Sequence, residues 1–216
     1  MSGLRRRSRS WRDASFAVLD FETTGLDLQR DHILSYGLVP VVGGRIHMPG
    51  AIYRVVRPPI PVPPESIRVH GIRPTELTGA PELDKVSDEL LGALEGRMLV
   101  AHASGIELAF LGRLYDERGR RRPRRAIDVI DLAVELTSRE GAAPPRSARL
   151  ADLAERYGVP AARTHHAFGD ALVTAQLFLV LATRMERLGA AGVRDLVRAE
   201  RSHTAKSLSA GTLATR

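Results

Sequence analysis

The chain has 216 residues, a formal net charge of +7 and no cysteine. That length supports one domain with a full core, and the lack of cysteine excludes disulfides and thiolate metal sites. No run is expected to cross a membrane, which takes ~18–20 apolar residues. The start MSGLRRRSRSWRD carries no apolar stretch or cleavage site of a secretory signal, so a cytoplasmic location is the default expectation.

Five arginines lie in the first twelve residues and six more between Arg118 and Arg125. Such clusters suit a polyanion such as nucleic acid. Thirty of the 32 basic residues are arginine, Lys85 and Lys206 being the exceptions, and a GC-rich genome produces the same skew. Charge alone therefore leaves a phosphate clamp and a solvated loop as equal readings of Arg120–Arg125.

In chain order, residues 1–13 read as a disordered basic arm, with Trp11 an exposed tail residue rather than a base-stacking one. Phe16–Phe21 is an apolar run and predicts a buried strand. His32–Val42 and Arg45–Arg57, rich in Val, Ile and Tyr around Gly43–Gly44, predict a hairpin that completes an antiparallel meander. RPPIPVPPES is a connection expected to exclude helix, and a loop with a short helix follows over 67–81. Val86, Leu90, Leu91 and Leu94 keep helical spacing, with Gly96 as the stop. Met98–Ala101 reads as a strand, the next helix is marked by Ile106, Phe110, Leu111 and Leu114, and Ala126–Ile130 is a further strand before a helix to about Arg139. A short helix precedes Gly158, and a long one runs from about Phe168 to Leu188. QLFLV, at 176–180, faintly resembles a sliding-clamp-binding peptide, but its position in the apolar helix assigns it to the core. The chain divides into the arm 1–13, one folded domain 14–190, and a C-terminal helix with a disordered tail at 191–216. Three strands followed by alternating strands and helices imply one mixed-sheet α/β domain.

The strand at Phe16–Phe21 runs into DFETTGL. Asp20 and Glu22 share one face, because side chains alternate along a strand, and a buried carboxylate is costly unless it is paired or holds a cation. Glu107 opens the helix after MLVAH, and Asp170 lies in the first turn of the long helix. Carboxylates brought together from a strand end and two helix starts repel one another unless a hard cation sits between them. Two Mg²⁺ ions about 3.5–4 Å apart would serve an in-line phosphoryl displacement, and the pair His165–His166 offers a general base.

These segments resemble the DEDD-type 3′–5′ exonucleases, in the branch with a histidine in its third motif, to which the epsilon proofreading subunit of DNA polymerase III, ribonuclease T and oligoribonuclease belong. DFETTGL matches the first motif in full, VHGI (Val69–Ile72) matches the His-Gly-Ile loop, and HHAFGDA (His165–Ala171) matches the third motif. The resemblance covers about Ser15 to Leu188. The second motif departs from the pattern: Ala103 stands for an asparagine, Ile106 for a phenylalanine and Glu107 for an aspartate.

The resemblance implies a ribonuclease H-like fold with a mixed five-stranded sheet flanked by helices. It implies two Mg²⁺ or Mn²⁺ ions held by Asp20, Glu22, Glu107 and Asp170, with His165, five residues before the aspartate, as general base. Thr23, Thr24, Gly25 and Leu26 correspond to the nucleotide-contacting turn. His70 is placed near the terminal nucleotide, and His102 on the substrate side, packing under the site. The expected activity is release of nucleoside 5′-monophosphates from the 3′ end of nucleic acid, with DNA favoured. An exoribonuclease of the same fold and a non-catalytic nucleic-acid-end binding subunit are the alternatives. Nucleic acid 3′ ends are the expected partners, with a DNA polymerase or a second copy of the chain as further protein partners and no membrane.

Overall fold

The computed structural model describes residues 9–161 and 165–197. The apolar run becomes β1 (Ser15–Thr23), the centre of a mixed sheet. It pairs antiparallel with β2 (Ile33–Val42) on one side and parallel with β5 (Met98–Ala101) on the other, and β5 pairs parallel with β6 (Ala126–Asp128). Beyond β2 the returning chain is split into β3 (Arg45–Ile46) and β4 (Ile52–Val55), which share one edge of the sheet. The sheet thus has five strand positions, as expected, filled by six segments.

Pro40 explains the split. Its carbonyl accepts the His47 N–H (2.9 Å) on the side of β3 and β4. In an antiparallel strand the N–H and C=O of one residue point the same way, so the donor that proline lacks is missing on that side. The edge strand breaks opposite it into a single turn at Met48–Gly50.

The helices are α1 (Pro64–His70), α2 (Pro74–Leu77), α3 (Leu83–Leu94), α4 (Gly105–Glu117), α5 (Val129–Arg139), α6 (Leu150–Arg156) and α7 (Ala167–Arg187). Two small expectations fail. The proline-rich connection was expected to exclude helix, yet its last three residues open α1, because Pro64 at the first helical position lacks only an N–H that would be unpaired anyway. The strand expected to reach Ile130 ends at Asp128, whose side chain accepts the Ile130 N–H (2.9 Å) and caps α5.

The alternation of β1 divides the core. Ala17, Leu19 and Phe21 face α3 and α4 in one cluster with Leu90, Leu91, Phe110 and Leu111. Phe16 and Val18 face α5, α6 and α7 in the other, with Leu132, Leu153, Phe178 and Leu181. Asp20 and Glu22 continue this second face, beyond the apolar residues that α7 covers. Among the described residues α7 is the one helix long and apolar enough to cross a membrane, at a mean hydropathy of 1.3, where no such run was expected. Half of that stretch is buried within the protein, and α7 packs along β1 and β2 as the main core helix. Leu177 and Phe178, in the segment QLFLV, are fully buried there.

The arm is the clearest correction. Residues 1–8 lie outside the described residues, but 9–13 are docked, and Trp11 is fully buried rather than exposed. Its ring meets Phe178 edge-on at 6.1 Å. Its backbone N–H donates to the Ala191 carbonyl (2.9 Å), Val193 N–H donates to Arg9 O (3.1 Å), and the Arg12 guanidinium grips both oxygens of Glu186. A Trp in a basic arm reads as a tail residue until the partner surface, some 165–180 residues away in sequence, is known. Residues 193–197 are helical, and the expected continuation to about His203 and the tail lie outside the described residues.

Removing a fully buried Trp ring typically costs about 3–5 kcal/mol. Trp11→Ala is therefore expected to lower the unfolding free energy by about that much in a urea titration. A loss below ~1 kcal/mol would mean that the arm is not docked in solution.

Candidate active site

A cleft of about 600 Å³ opens where β1 ends. Its wall includes the β1 end and following turn, Asp20 to Leu26; Glu65, Ser66, Val69 and His70 of α1; His102, Ala103, Ile106 and Glu107 at the start of α4; Arg149 to Ala151 at the start of α6; and His165 and Asp170. Every site residue expected from the sequence lines this one cleft.

Asp20, Glu22 and Asp170 each place a carboxylate oxygen within 4.8 Å of the others. Glycine makes this convergence possible. Asp20 pairs across the sheet with Gly37 of β2, and a Cβ on Gly37 would lie 2.3 Å from the Ala167 carbonyl oxygen and 2.4 Å from Phe168 Cα. The first turn of α7 therefore rests directly on the β2 backbone, and Asp170, one turn along, comes beside Asp20. On the next strand Gly37 pairs with Tyr53, whose ring stacks on His166 at 4.6 Å.

The two histidines separate cleanly. His166 is engaged: it stacks on Tyr53, and its Nδ1 accepts the Gly169 N–H (3.3 Å) at the start of α7. His165 lies exposed in the cleft wall with a left-handed backbone (φ 66°), and its N–H donates to Asp170 Oδ2 at 2.8 Å.

Glu107 also faces the cleft but stands outside the three-carboxylate cluster. It is buried, and its Oε2 has no hydrogen-bond partner. The start of its helix is fastened by Asp128, whose Oδ2 accepts the Ser104 N–H (2.7 Å). Ala103 before it holds a left-handed conformation (φ 58°), a region that asparagine tolerates better than alanine.

The turn after β1 is braced by hydrogen bonds. The register shifts between Glu22 and Thr23. The Thr23 hydroxyl donates to the Gly25 carbonyl (2.7 Å). Asp31, unnoticed in the sequence, organises the rest: it accepts the Thr24 hydroxyl (2.7 Å) and the Asp27 N–H (2.7 Å). A Cβ on Gly25 would lie 2.4 Å from its Oδ2. Arg113 of α4 donates to the carbonyls of Leu28 and Asp31 (2.7 and 2.8 Å). Leu26 stays exposed on this braced turn. His70 accepts the Ile72 N–H on Nδ1 (2.9 Å), and His102 Nε2 lies 2.6 Å from the Ala148 carbonyl.

The Arg118–Arg125 run is remote from the cleft, past the opposite end of α4 from Glu107. Arg118 pairs with Asp84 and Asp88, Arg120 with Asp88, and Arg122 with Asp116. This fits the solvated loop for Arg120 and Arg122, which lie away from the carboxylates.

Electrostatics favour a cation. Burial, then Glu107, Glu22 and Asp170 in turn, holds the Asp20 carboxyl well above the usual carboxylate range. Burial and Asp170 push Glu22 up to about 7. Burial, with the Asp128 charge adding to it, pushes Glu107 up to about 8. Asp170 is raised by burial too, against the opposing pull of the His165 N–H, and its Oδ1 is buried without a partner. Clustered, under-satisfied oxygen donors of this kind fit a hard divalent ion.

Comparison with known proteins agrees. Residues 17–178 match the family model RNase_T, described as exonuclease. The chain belongs to this exonuclease family. Its motifs place it among the DEDD-type 3′–5′ exonucleases. It is 36% identical over 179 residues to the PolC-type DNA polymerase III of Thermotoga maritima, covering 82% of this chain and 12% of that protein. It is 28% identical over 175 residues to the 3′–5′ exonuclease DinG of Staphylococcus haemolyticus, covering 81% of this chain and 19% of the relative. The chain thus spans under a fifth of these relatives' lengths. The nuclease domain of 3′hExo, a DEDDh family member bound to rAMP, superposes with a TM-score of 0.66 at 16% identity, covering 83% of this chain and 94% of that one. Exonuclease X, in complex with 5′-overhanging duplex DNA, gives 0.62 at 21% identity, covering 85% and 98%. The fold is the ribonuclease H-like fold expected from the sequence.

Two outcomes follow from this geometry. Glu22 and Glu107 titrate higher in the folded chain than unfolded, so the folded state binds the extra protons. The stability this provides is complete below about pH 4.5 and is lost as pH rises through about 7 and about 8. Chelated protein should accordingly melt at lower temperature at the alkaline end of this range, and added Mg²⁺ should reverse the loss there; a melting temperature independent of both would contradict the carboxylate packing. Gly37→Ala should displace the first turn of α7, destabilise the protein by about 1–3 kcal/mol and weaken Mn²⁺ binding in calorimetry. Unchanged Mn²⁺ affinity would show that Asp170 does not depend on this contact.

Proposed function

We propose that the chain is a divalent-metal-dependent 3′–5′ exonuclease that removes nucleoside 5′-monophosphates from the 3′ end of nucleic acid, DNA being the favoured substrate. The observation that carries this reading is the convergence of Asp20, Glu22 and Asp170 with an exposed His165 bonded through its own N–H to Asp170.

Asp20, Glu22 and Asp170, with Glu107 in the same cleft, would hold Mg²⁺ or Mn²⁺, and a pair of ions is the number we favour. Bound ions supply positive charge for the attacking and leaving oxygens of an in-line displacement at phosphorus. The residues of the chain do the rest. His165 accepts the proton of the attacking water on a ring nitrogen. Its backbone link to Asp170 keeps base and carboxylate in fixed relation, while His166, engaged with Tyr53, leaves that role to its neighbour. The braced turn Thr23–Leu26 and His70 line the cleft where the terminal nucleotide would lie, and His102 holds the facing loop.

The PolC-type relative supports DNA as the substrate and a polymerase as a partner, and a cytoplasmic location agrees with that reading. The neighbour bound to rAMP keeps RNA as the alternative to test. A non-catalytic end binder has little to support it, since the departure at Glu107 retains the charge and His165 is exposed in the cleft.

A 5′-labelled single-stranded DNA, incubated with the protein and Mg²⁺ or Mn²⁺, is expected to shorten stepwise from its 3′ end, with EDTA and Asp20→Asn each abolishing the ladder. Glu107→Gln, which keeps the shape and removes the charge, should lower kcat by roughly 10–100-fold, as loss of a supporting group does at metal sites. Full activity in Asp20→Asn, or cleavage from the 5′ end, would overturn the assignment; faster turnover of RNA would move the substrate class.

A further inference from the structure

Among the described residues five carboxylates line the cleft, from Asp20, Glu22, Glu65, Glu107 and Asp170, and the one lysine or arginine that does so is Arg149. A single strand entering this cleft brings further negative charge. Ions held by the carboxylate cluster would answer it at the scissile bond only, so any phosphate that lies farther along the strand needs another cation.

Arg149 meets that need in several ways. Its guanidinium forms no ion pair or hydrogen bond with any described residue. Most arginines elsewhere on the surface are engaged, with acids, as Arg12, Arg54, Arg57, Arg118, Arg120 and Arg122 are, or with carbonyls, as Arg113 is. The side chain is exposed while its backbone is fixed. Arg149 N–H donates to Ser147 Oγ (3.2 Å), its carbonyl accepts the Leu153 N–H (3.0 Å), and the preceding carbonyl, of Ala148, is held by His102 at 2.6 Å. Leu150, next in sequence, is anchored in the core. A free, planar, five-donor head on a fixed base suits bidentate capture of phosphate oxygens.

We propose that Arg149 is a substrate-binding residue that grips a backbone phosphate of the single strand on the 5′ side of the scissile bond. This rests on the exonuclease reading above. Such a contact is as strong in the ground state as in the transition state, so it acts on KM rather than kcat. It adds one phosphate contact to the salt dependence of binding.

The test uses Arg149→Ala and Arg149→Lys in the full chain. Binding of a fluorescent single-stranded DNA is followed by anisotropy in the Asp20→Asn background over a salt series. Turnover is followed with the same oligonucleotide and with a chromogenic nucleoside 5′-phosphodiester that has no upstream phosphate. Arg149→Ala is expected to raise the Kd and the oligonucleotide KM about tenfold, as loss of a charged hydrogen bond does. It should reduce the log Kd–log salt slope by ~0.7 and leave turnover of the small ester unchanged. Arg149→Lys should restore the salt slope and only part of the affinity. An unchanged Kd and slope, or an equal loss on the small ester, would overturn the proposal. Wild-type protein that degrades neither substrate but binds the oligonucleotide with the Arg149-dependent slope would sink the exonuclease reading and leave the phosphate contact standing; absence of both activity and binding would sink both.

Discussion

The contact between the first turn of α7 and the bare backbone of β2 at Gly37 governs this molecule. Gly37 is the cross-strand partner of Asp20 on one side and of Tyr53 on the other. Letting a helix sit directly on the sheet there brings Asp170 to Asp20 and Glu22, seats His166 on Tyr53, and turns His165 outward. A single methyl group at position 37 would meet backbone atoms that cannot rotate away. The chemistry of the cleft thus depends on an atom that is absent.

The same closeness sets the electrostatic problem of the site. Carboxylates are placed together in surroundings that disfavour their charged forms, and the folded chain relieves this only in part. Asp170 accepts the His165 backbone N–H, while one of its oxygens and one of Glu107 are buried without a partner. The apolar residues further along the β1 face, Phe16 and Val18 under α7, carry the stability that the acidic end lacks. One strand therefore divides by position, with packing at its start and clustered carboxylates at its end. Asp31, Arg113 and Asp128 act around it as braces, tying the turn and the start of α4 into place without reaching the carboxylate cluster.

What could be read in the sequence was what lies close together in it. DFETTGL and HHAFGDA each combine several chemical requirements within seven residues, and the alternation of β1 is enough by itself to assign Asp20 and Glu22 to one face. The strand and helix order followed from local periodicity, with departures where Pro64 and Asp128 act as helix-start residues and where the expected strand 45–57 is split by the turn Met48–Gly50. The remainder depended on distant partners. Gly37 lies in the apolar string SYGLVP, where nothing signals a helix passing over it. Tyr53 reads as an ordinary strand aromatic, and Arg149 as one arginine among thirty. Trp11 misled because its basic neighbours describe a tail, whereas its ring belongs to a core built from the other end of the chain. Family spacing was the one signal in the sequence that separated His165 from His166, whereas in the structure His166 is stacked on Tyr53 and His165 lines the cleft.

The docking of residues 9–13 against 191–193 also determines how the domain is closed. Both segments meet beside Glu186, about 24 Å along α7 from Asp170 at 1.5 Å per residue. These two segments therefore lie toward one end of α7, and the cleft lies toward the other. Trp11, fully buried where the two segments meet, thus works as a clasp that closes the two ends of the described domain on each other, at a distance from the carboxylates.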